Sequence, residues 1–163
     1  DMGRFAGEVV QDMQVQFPNR QFVQEFPATP LVVVVDPERL EQVLRNLLSN
    51  AIKYSPEGGP ITVRGHGDKE TIVISVSDRG IGIPADEHER VFDRFHRVGT
   101  GLVHDVKGTG LGLSLVQHIV TAHGGRVTLK SELGKGSTFF IHLPVGWEPN
   151  NHERGHHGQD PDR

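Results

Sequence analysis

The stretch from Asp36 to Pro60 reads as one amphipathic helix with a fixed start and a fixed stop, and few folds can accommodate it. Asp36 supplies a side-chain acceptor at the N-cap, and Pro37 suits the first helical position. Leu40, Val43, Leu44, Leu47, Leu48 and Ala51 fall on one stripe, which must be buried against another layer. The run Ser55-Pro56-Glu57-Gly58-Gly59-Pro60 ends the helix. Asn46 and Asn50 share a different face, with Lys53 one turn on. Asparagine inside a helix lowers its propensity, so two on one face suggest a use for their amides. The alternative is a pair of solvated or locally bonded amides.

The rest of the chain alternates helices with pairs of strands. Apolar residues at 5, 9, 10 and 13 predict a helix, weakened at Gly7 and ended near Pro18. Residues 20–26 alternate loosely, as a strand does. The run LVVVV at 31–35 is predicted as a strand from its β-branched density. Residues 61–67 and 71–77 form a hairpin, with Ile72, Ile74 and Val76 facing one side. One or two short helices are expected within 85–97. The segment 98–109 is glycine-rich and aperiodic, and it reads as a mobile loop. A helix over 111–122 stops at Gly124-Gly125. Strands 126–131 and 137–143 follow, joined at Gly134-Lys135-Gly136. The expected fold class is α/β: a two-layer sandwich of one mixed β-sheet covered on one face by helices. The expected domain spans 1–147, and 148–163 is a polar, disordered tail.

The length of 163 residues suits one domain. A net charge of −4 argues against nucleic acid, so an anionic ligand needs locally placed donors. The absence of cysteine excludes disulfides and thiol chemistry. No continuous apolar run reaches membrane-spanning length and no signal-like start is visible. The sequence opens inside ordinary protein sequence, as a piece of a longer protein would.

Three segments carry chemistry. Asn50 can offer its carbonyl oxygen to a hard cation such as Mg²⁺, Asn46 can orient a phosphate or a metal-bound water, and Lys53 brings a mobile positive charge. Tyr54 sits either over a base or in the core. In Asp-Arg-Gly-Ile-Gly-Ile-Pro at 78–84, Asp78 can accept from the exocyclic amine of adenine, where guanine presents a carbonyl. Gly80 and Gly82 let the backbone approach the flat base. A tight turn alone explains one of these glycines but not the whole run. Gly108-Thr109-Gly110-Leu111-Gly112-Leu113 precedes and enters a helix, where N–H groups can meet phosphate oxygens. It lacks both the strand that a dinucleotide fingerprint needs and the Gly-Lys-Ser/Thr end of a Walker loop. In Phe92-Asp93-Arg94-Phe95-His96-Arg97 the two aromatics are expected to pack on one helical face. Arg94 or Arg97, with Arg97 preferred, can reach a terminal phosphate. The ten histidines show no metal-binding spacing.

Taken in order, these blocks closely resemble the catalytic ATP-binding domain of bacterial sensor histidine kinases, in the wider group with the Hsp90, gyrase and MutL ATPases. DPERLEQVLRNLLSNAIKYSPEGG matches the N box, DRGIGIP the first glycine box, FDRF the F box and KGTGLGL the second glycine box. GGRVTLKSELGKGSTFFIHLP matches the closing hairpin. The resemblance covers about 5–145. It implies ATP and Mg²⁺ as cofactors, with Asn50 as metal ligand and Asn46, Lys53 and Arg97 on the catalytic, phosphate side. It implies that Tyr54, Asp78, Gly80, Gly82 and Ile83 surround the adenine. Phe95, Gly108, Thr109, Gly110, Leu111, Gly112 and Thr138 complete the implied nucleotide site, and 98–109 becomes a lid. The ATPase relatives carry glutamate where this chain has Asn46. Asparagine is a poor general base, which favours transfer over hydrolysis.

The resemblance further implies partners. These are a histidine-bearing dimerisation domain of the same parent and a response-regulator receiver domain. The fragment would be monomeric, its parent homodimeric. The domain would be cytoplasmic, and most parents in the family are anchored in the inner membrane. No histidine here, including His88 in its acidic surroundings, stands in the family's acceptor context. Rival readings are an anti-sigma-type serine kinase, a non-catalytic nucleotide-binding module, and a hydrolase, which Asn46 disfavours.

Overall fold

A computed structural model describes residues 1–98 and 108–148. Helix α1, Met2–Gln16, begins where the Asp1 side chain accepts from the Gly3 N–H at 2.9 Å. It buries Met2, Ala6, Val9, Val10 and Met13, which extends the expected stripe and tolerates Gly7. Helix α2, Pro37–Lys53, starts as its sequence dictates, with Asp36 Oδ1 accepting from the Arg39 N–H at 3.2 Å. All six stripe residues of α2 are buried. Helix α3, Gly112–Ala122, packs beside α2 and buries Val116, Ile119 and Val120.

The sheet comprises β1 (Phe22–Glu25), β2 (Ile61–Gly67), β3 (Thr71–Ser77), β4 (Arg126–Glu132) and β5 (Gly136–Pro144), in the order β1-β2-β3-β5-β4. The β1–β2 pair is parallel and the others are antiparallel, so the sheet is mixed. Register aligns apolar rows across it: Val63, Val76 and Phe139 in one, and Ile74 opposite Ile141 in the next on the same face. These side chains form a single core with the stripes of the three helices. The opposite face carries Arg64, His66, Thr128, Lys130 and His142, the alternation expected of a sheet covered on one side. Leu48 is fully buried at the centre of the core. Leu48→Ala is expected to lower stability by about 2–5 kcal/mol, measured by denaturant unfolding; a loss below about 1 kcal/mol would contradict this packing.

Two local expectations are corrected. The run 31–35 forms no strand. It alternates as an extended chain, with Val32 and Val34 exposed and Leu31, Val33 and Val35 packed on the core. Its backbone bonds to α1, where the Met2 N–H donates to the Leu31 carbonyl at 2.8 Å. β-Branched residues favour an extended backbone, but a ladder needs a neighbouring strand. The 92–95 segment is not a helical face either. Single 3₁₀ turns occupy Ala85–Glu87 and Arg90–Phe92, after which the chain extends at Asp93. Phe92 packs edge-on against Phe139 at 6.2 Å between centroids, whereas Phe95 is 72% exposed with φ of 62°.

The buried His123 ties helix ends together. Its Nδ1 donates to the Ile119 carbonyl at 2.8 Å, and its Nε2 accepts from the Asp36 N–H at 3.0 Å. Trp147 stacks on it at 4.4 Å and donates to the Ala122 carbonyl. The start of α2, and so the placing of its asparagines, is thereby fixed to the end of α3.

Candidate nucleotide site

A cavity opens between the polar face of α2, the loop after β3 and the start of α3. Asn46, Asn50, Lys53 and Tyr54 line it from the last two turns of α2 and its C-cap. Helical spacing brings them together, as the sequence suggests. Asn46 Nδ2 donates to the Gln42 carbonyl at 2.8 Å, which orients the amide. A Cβ on Gly112 would lie 3.0 Å from Asn46 Oδ1, so the start of α3 meets this amide closely. Leu111, the N-cap of α3, makes no side-chain capping bond. Gly108, Thr109, Gly110 and Gly112 line the cavity at this helix start, a natural place for an anion.

At the other end lies Asp78, 8% exposed. Its Oδ1 accepts from the Gly80 N–H at 2.8 Å, and a carboxylate has acceptor capacity beyond such backbone bonds for a ligand. Burial pushes this carboxyl above the ordinary aspartate range, opposed by the backbone hydrogen bonds of Gly80 and Ser137 and by the Arg20 charge. Gly82 and Ile83 line the cavity beside it. Gly80 is not in the lining; it lets the loop dock on α2. A Cβ there would stand 1.9 Å from the Tyr54 carbonyl oxygen, and the neighbouring Ile81 N–H donates to that oxygen at 2.9 Å. Gly82 has φ of +70°, and a Cβ would meet the Glu132 carbonyl oxygen at 2.0 Å. Gly82→Ala is expected to lower stability by more than about 1–2 kcal/mol, the left-handed cost alone, read from the thermal midpoint; an unchanged midpoint would contradict the close approach.

Three other expected site residues stand outside the cavity lining. Thr138 lies outside the cavity, and Ser137 and Phe139 line it instead. Successive strand residues point to opposite faces, and the Thr138 hydroxyl meets Ser77 Oγ at 2.8 Å on the far face. Phe95 does not line the cavity. Its N–H donates to the Gly110 carbonyl at 3.0 Å, so it contributes backbone to the glycine segment rather than a ring. Leu111 is likewise absent from the lining and 36% exposed. Arg97 lines the cavity, as expected. The central part of the expected lid, 99–107, lies outside the described residues, as does the tail from 149.

Sequence reasoning missed several lining residues. Val91 and Phe139, both buried, add apolar walls. His96 also lines the cavity, with Nε2 on Glu87 Oε2 at 2.5 Å. Nothing in FDRFHR announced that pairing. Among the described residues no group of three or more His, Cys, Asp or Glu can hold a metal. The donor set fits Mg²⁺ held by one amide oxygen, waters and substrate phosphates, which is how that ion commonly binds. Among the described residues no helix is long and apolar enough to cross a membrane.

The family described as histidine kinase-, DNA gyrase B- and HSP90-like ATPase matches residues 35–146. Sensor histidine kinase WalK of Bacillus subtilis is 44% identical over 126 residues, 76% of this chain and 21% of the relative. Adaptive-response sensory kinase SasA of Synechococcus elongatus is 44% identical over 127 residues, covering 77% of this chain and 32% of the relative. The chain thus spans between a fifth and a third of the length of these two relatives. The solved structure of a mycobacterial sensor histidine kinase, MprB, superposes with a TM-score of 0.78 at 30% identity, covering 88% of this chain and 95% of that one. The catalytic domain of histidine kinase ThkA in a nucleotide-free form superposes with a TM-score of 0.74 at 29% identity, covering 89% and 95%.

Proposed function

The chain belongs to the histidine kinase-, DNA gyrase B- and HSP90-like ATPase family, as an ATP-binding catalytic domain of the sensor histidine kinase type, and we propose that its cavity binds Mg-ATP and presents the γ-phosphoryl to a histidine on a separate dimerisation domain. One observation carries this reading. A nearly buried carboxylate with a spare acceptor stands at one end of the cavity, and an uncapped helix start stands at the other. The first suits the exocyclic amine of adenine and the second suits phosphates.

Asn46, Asn50 and Lys53 lie along α2 between these ends. Asn50 would hold Mg²⁺ through its amide oxygen. A bound Mg²⁺ would supply Lewis-acid neutralisation of the charge on the phosphates. Asn46, already oriented by the Gln42 carbonyl, would position a phosphate or a metal-bound water. Lys53 and Arg97 would stabilise the charge of the transferring group. The imidazole nitrogen forms a bond to γ-phosphorus as the bond to the β–γ bridging oxygen breaks. ADP leaves with the electron pair, and the imidazole proton passes to a carboxylate base outside this chain. The enzyme supplies mainly positioning and electrostatics. Asn46 offers no carboxylate to activate water, which supports transfer over hydrolysis. A homodimeric parent, inner-membrane anchorage with this domain on the cytoplasmic side, and relay to a response-regulator aspartate complete the proposal.

The test joins the chain to a histidine-bearing dimerisation domain and supplies ATP labelled in its γ-phosphate. The expected product is acid-labile and alkali-stable, as a phosphoramidate is. An acid-stable product on serine would replace this reading with the serine-kinase one. Nucleotide binding without any transfer would leave a binding module.

A further inference from the structure

Arg20 lies in the connection between α1 and β1, far in sequence from every block discussed above. Its Nη2 donates to the Ile52 carbonyl at 3.1 Å, the Ser55 carbonyl at 2.9 Å and Ser55 Oγ at 2.5 Å. Ser55 Oγ in turn donates to the Ala51 carbonyl. One guanidinium and one hydroxyl therefore satisfy the Ile52 and Ala51 carbonyls in the last turn of α2. That same helix end carries Lys53 and Tyr54 into the cavity, and the Tyr54 carbonyl receives the Ile81 N–H of the 78–84 loop. Arg20 is itself held from behind, because Gln14 Nε2 donates to its carbonyl at 2.9 Å.

Two further facts set Arg20 apart from an ordinary helix cap. The oxygens that its guanidinium contacts are all neutral, so no contacting carboxylate cancels its charge. Its Nε is the one buried side-chain polar atom without a hydrogen-bond partner among the described residues. Arg20 as a whole is half-buried, and the field of a partly buried charge is screened less than that of an exposed one. At the nearly buried Asp78, burial raises the carboxyl, the Gly80 and Ser137 backbone hydrogen bonds oppose that rise, and the Arg20 charge adds a smaller opposition.

We propose that Arg20 is a positioning residue for base selection, holding the end of α2 against the 78–84 loop that carries Asp78. The inference rests on the reading of Asp78 as the group that meets the base. An ionised carboxylate accepts from the amine of adenine. A protonated one can donate to the carbonyl that hypoxanthine carries at the same place. Loss of the Arg20 charge therefore weakens discrimination between ATP and inosine triphosphate, most at mildly acidic pH. The groups that bear on Asp78 are the Gly80 N–H, the Ser137 backbone on β5 and Arg20. Lys53, Tyr54, His96 and Arg97 supply the other cationic or titratable side chains lining the cavity.

The experiment measures affinities for ATP and inosine triphosphate by calorimetry, at about pH 8 and about pH 6, for wild type, Arg20→Gln and Arg20→Lys. Thermal midpoints are recorded alongside. Arg20→Gln is expected to lose about tenfold of the ATP preference, equal to about 1.4 kcal/mol, and to lose ATP binding at a higher pH than wild type. Arg20→Lys keeps the charge and is expected to hold the preference within about threefold of wild type even if its midpoint falls. A folded Arg20→Gln with wild-type preference and pH profile would overturn the proposal. So would a folded Arg20→Lys that loses about tenfold of the preference, which is also the decisive arm if Arg20→Gln fails to fold. If wild type itself does not distinguish the two nucleotides, the base-reading role of Asp78 falls, and Arg20's with it. Wild-type selectivity with unaffected variants removes Arg20 alone.

Discussion

Asp78→Asn is expected to weaken ATP binding by about 10- to 150-fold, the range for losing one hydrogen bond to a charged group, without weakening the fold. The amide keeps an oxygen for the Gly80 N–H, which Asp78 Oδ1 meets at 2.8 Å. It removes the anion that accepts from the exocyclic amine and can place a donor there instead. Stability moves the other way. Burial raises the Asp78 carboxyl above its unfolded value, so ionising it opposes folding. That cost is absent below the ordinary aspartate range and grows as pH rises through the elevated folded value. The variant carries no such cost. Its thermal midpoint should match or exceed wild type at neutral pH, and the difference should close as pH falls. A variant that loses binding only because it unfolds would contradict this division between site and scaffold.

Asn50→Ala is expected to lower the rate of phosphoryl transfer to an attached acceptor domain by at least about 100-fold, the scale seen when one preorganised electrostatic group is removed. The helix itself should gain, because alanine is the better helix former by up to about 0.7 kcal/mol. Asn50 is half buried on the cavity side of α2, and its neighbours Leu47, Leu48 and Ala51 carry the packing. A rise in thermal midpoint together with a fall in Mg²⁺-dependent ATP affinity is the expected pair of readings. Unchanged affinity and unchanged transfer would remove Asn50 from the metal-binding assignment.

Much of this was legible in the sequence because it was written in helical periodicity and in ordered motifs. Residues 36–60 specified α2, its cap, its buried stripe and its polar face together. The glycine segments marked where backbone had to pass close to something, although Gly80 and Gly82 approach protein carbonyls at least as closely as they would a base. Legibility failed where the outcome depended on partners. Extended propensity at 31–35 did not make a strand, since no ladder forms there. Thr138 and Ser137 are separated by one step of strand register, which decides whether a side chain faces the cavity or the far side. Phe95 was expected on a helical face, but the 3₁₀ turn ends at Phe92 and turns its ring outward. Arg20 had no motif at all. Its importance comes from three acceptors more than thirty residues away in sequence.

The most direct test of the central claim is a calorimetric titration of this chain with ATP, ADP and GTP, with and without Mg²⁺. ATP and ADP should bind, GTP should bind far more weakly, and Mg²⁺ should strengthen ATP. A folded sample that shows no adenine-nucleotide binding at about millimolar concentration, near 4 kcal/mol of affinity, would contradict the account.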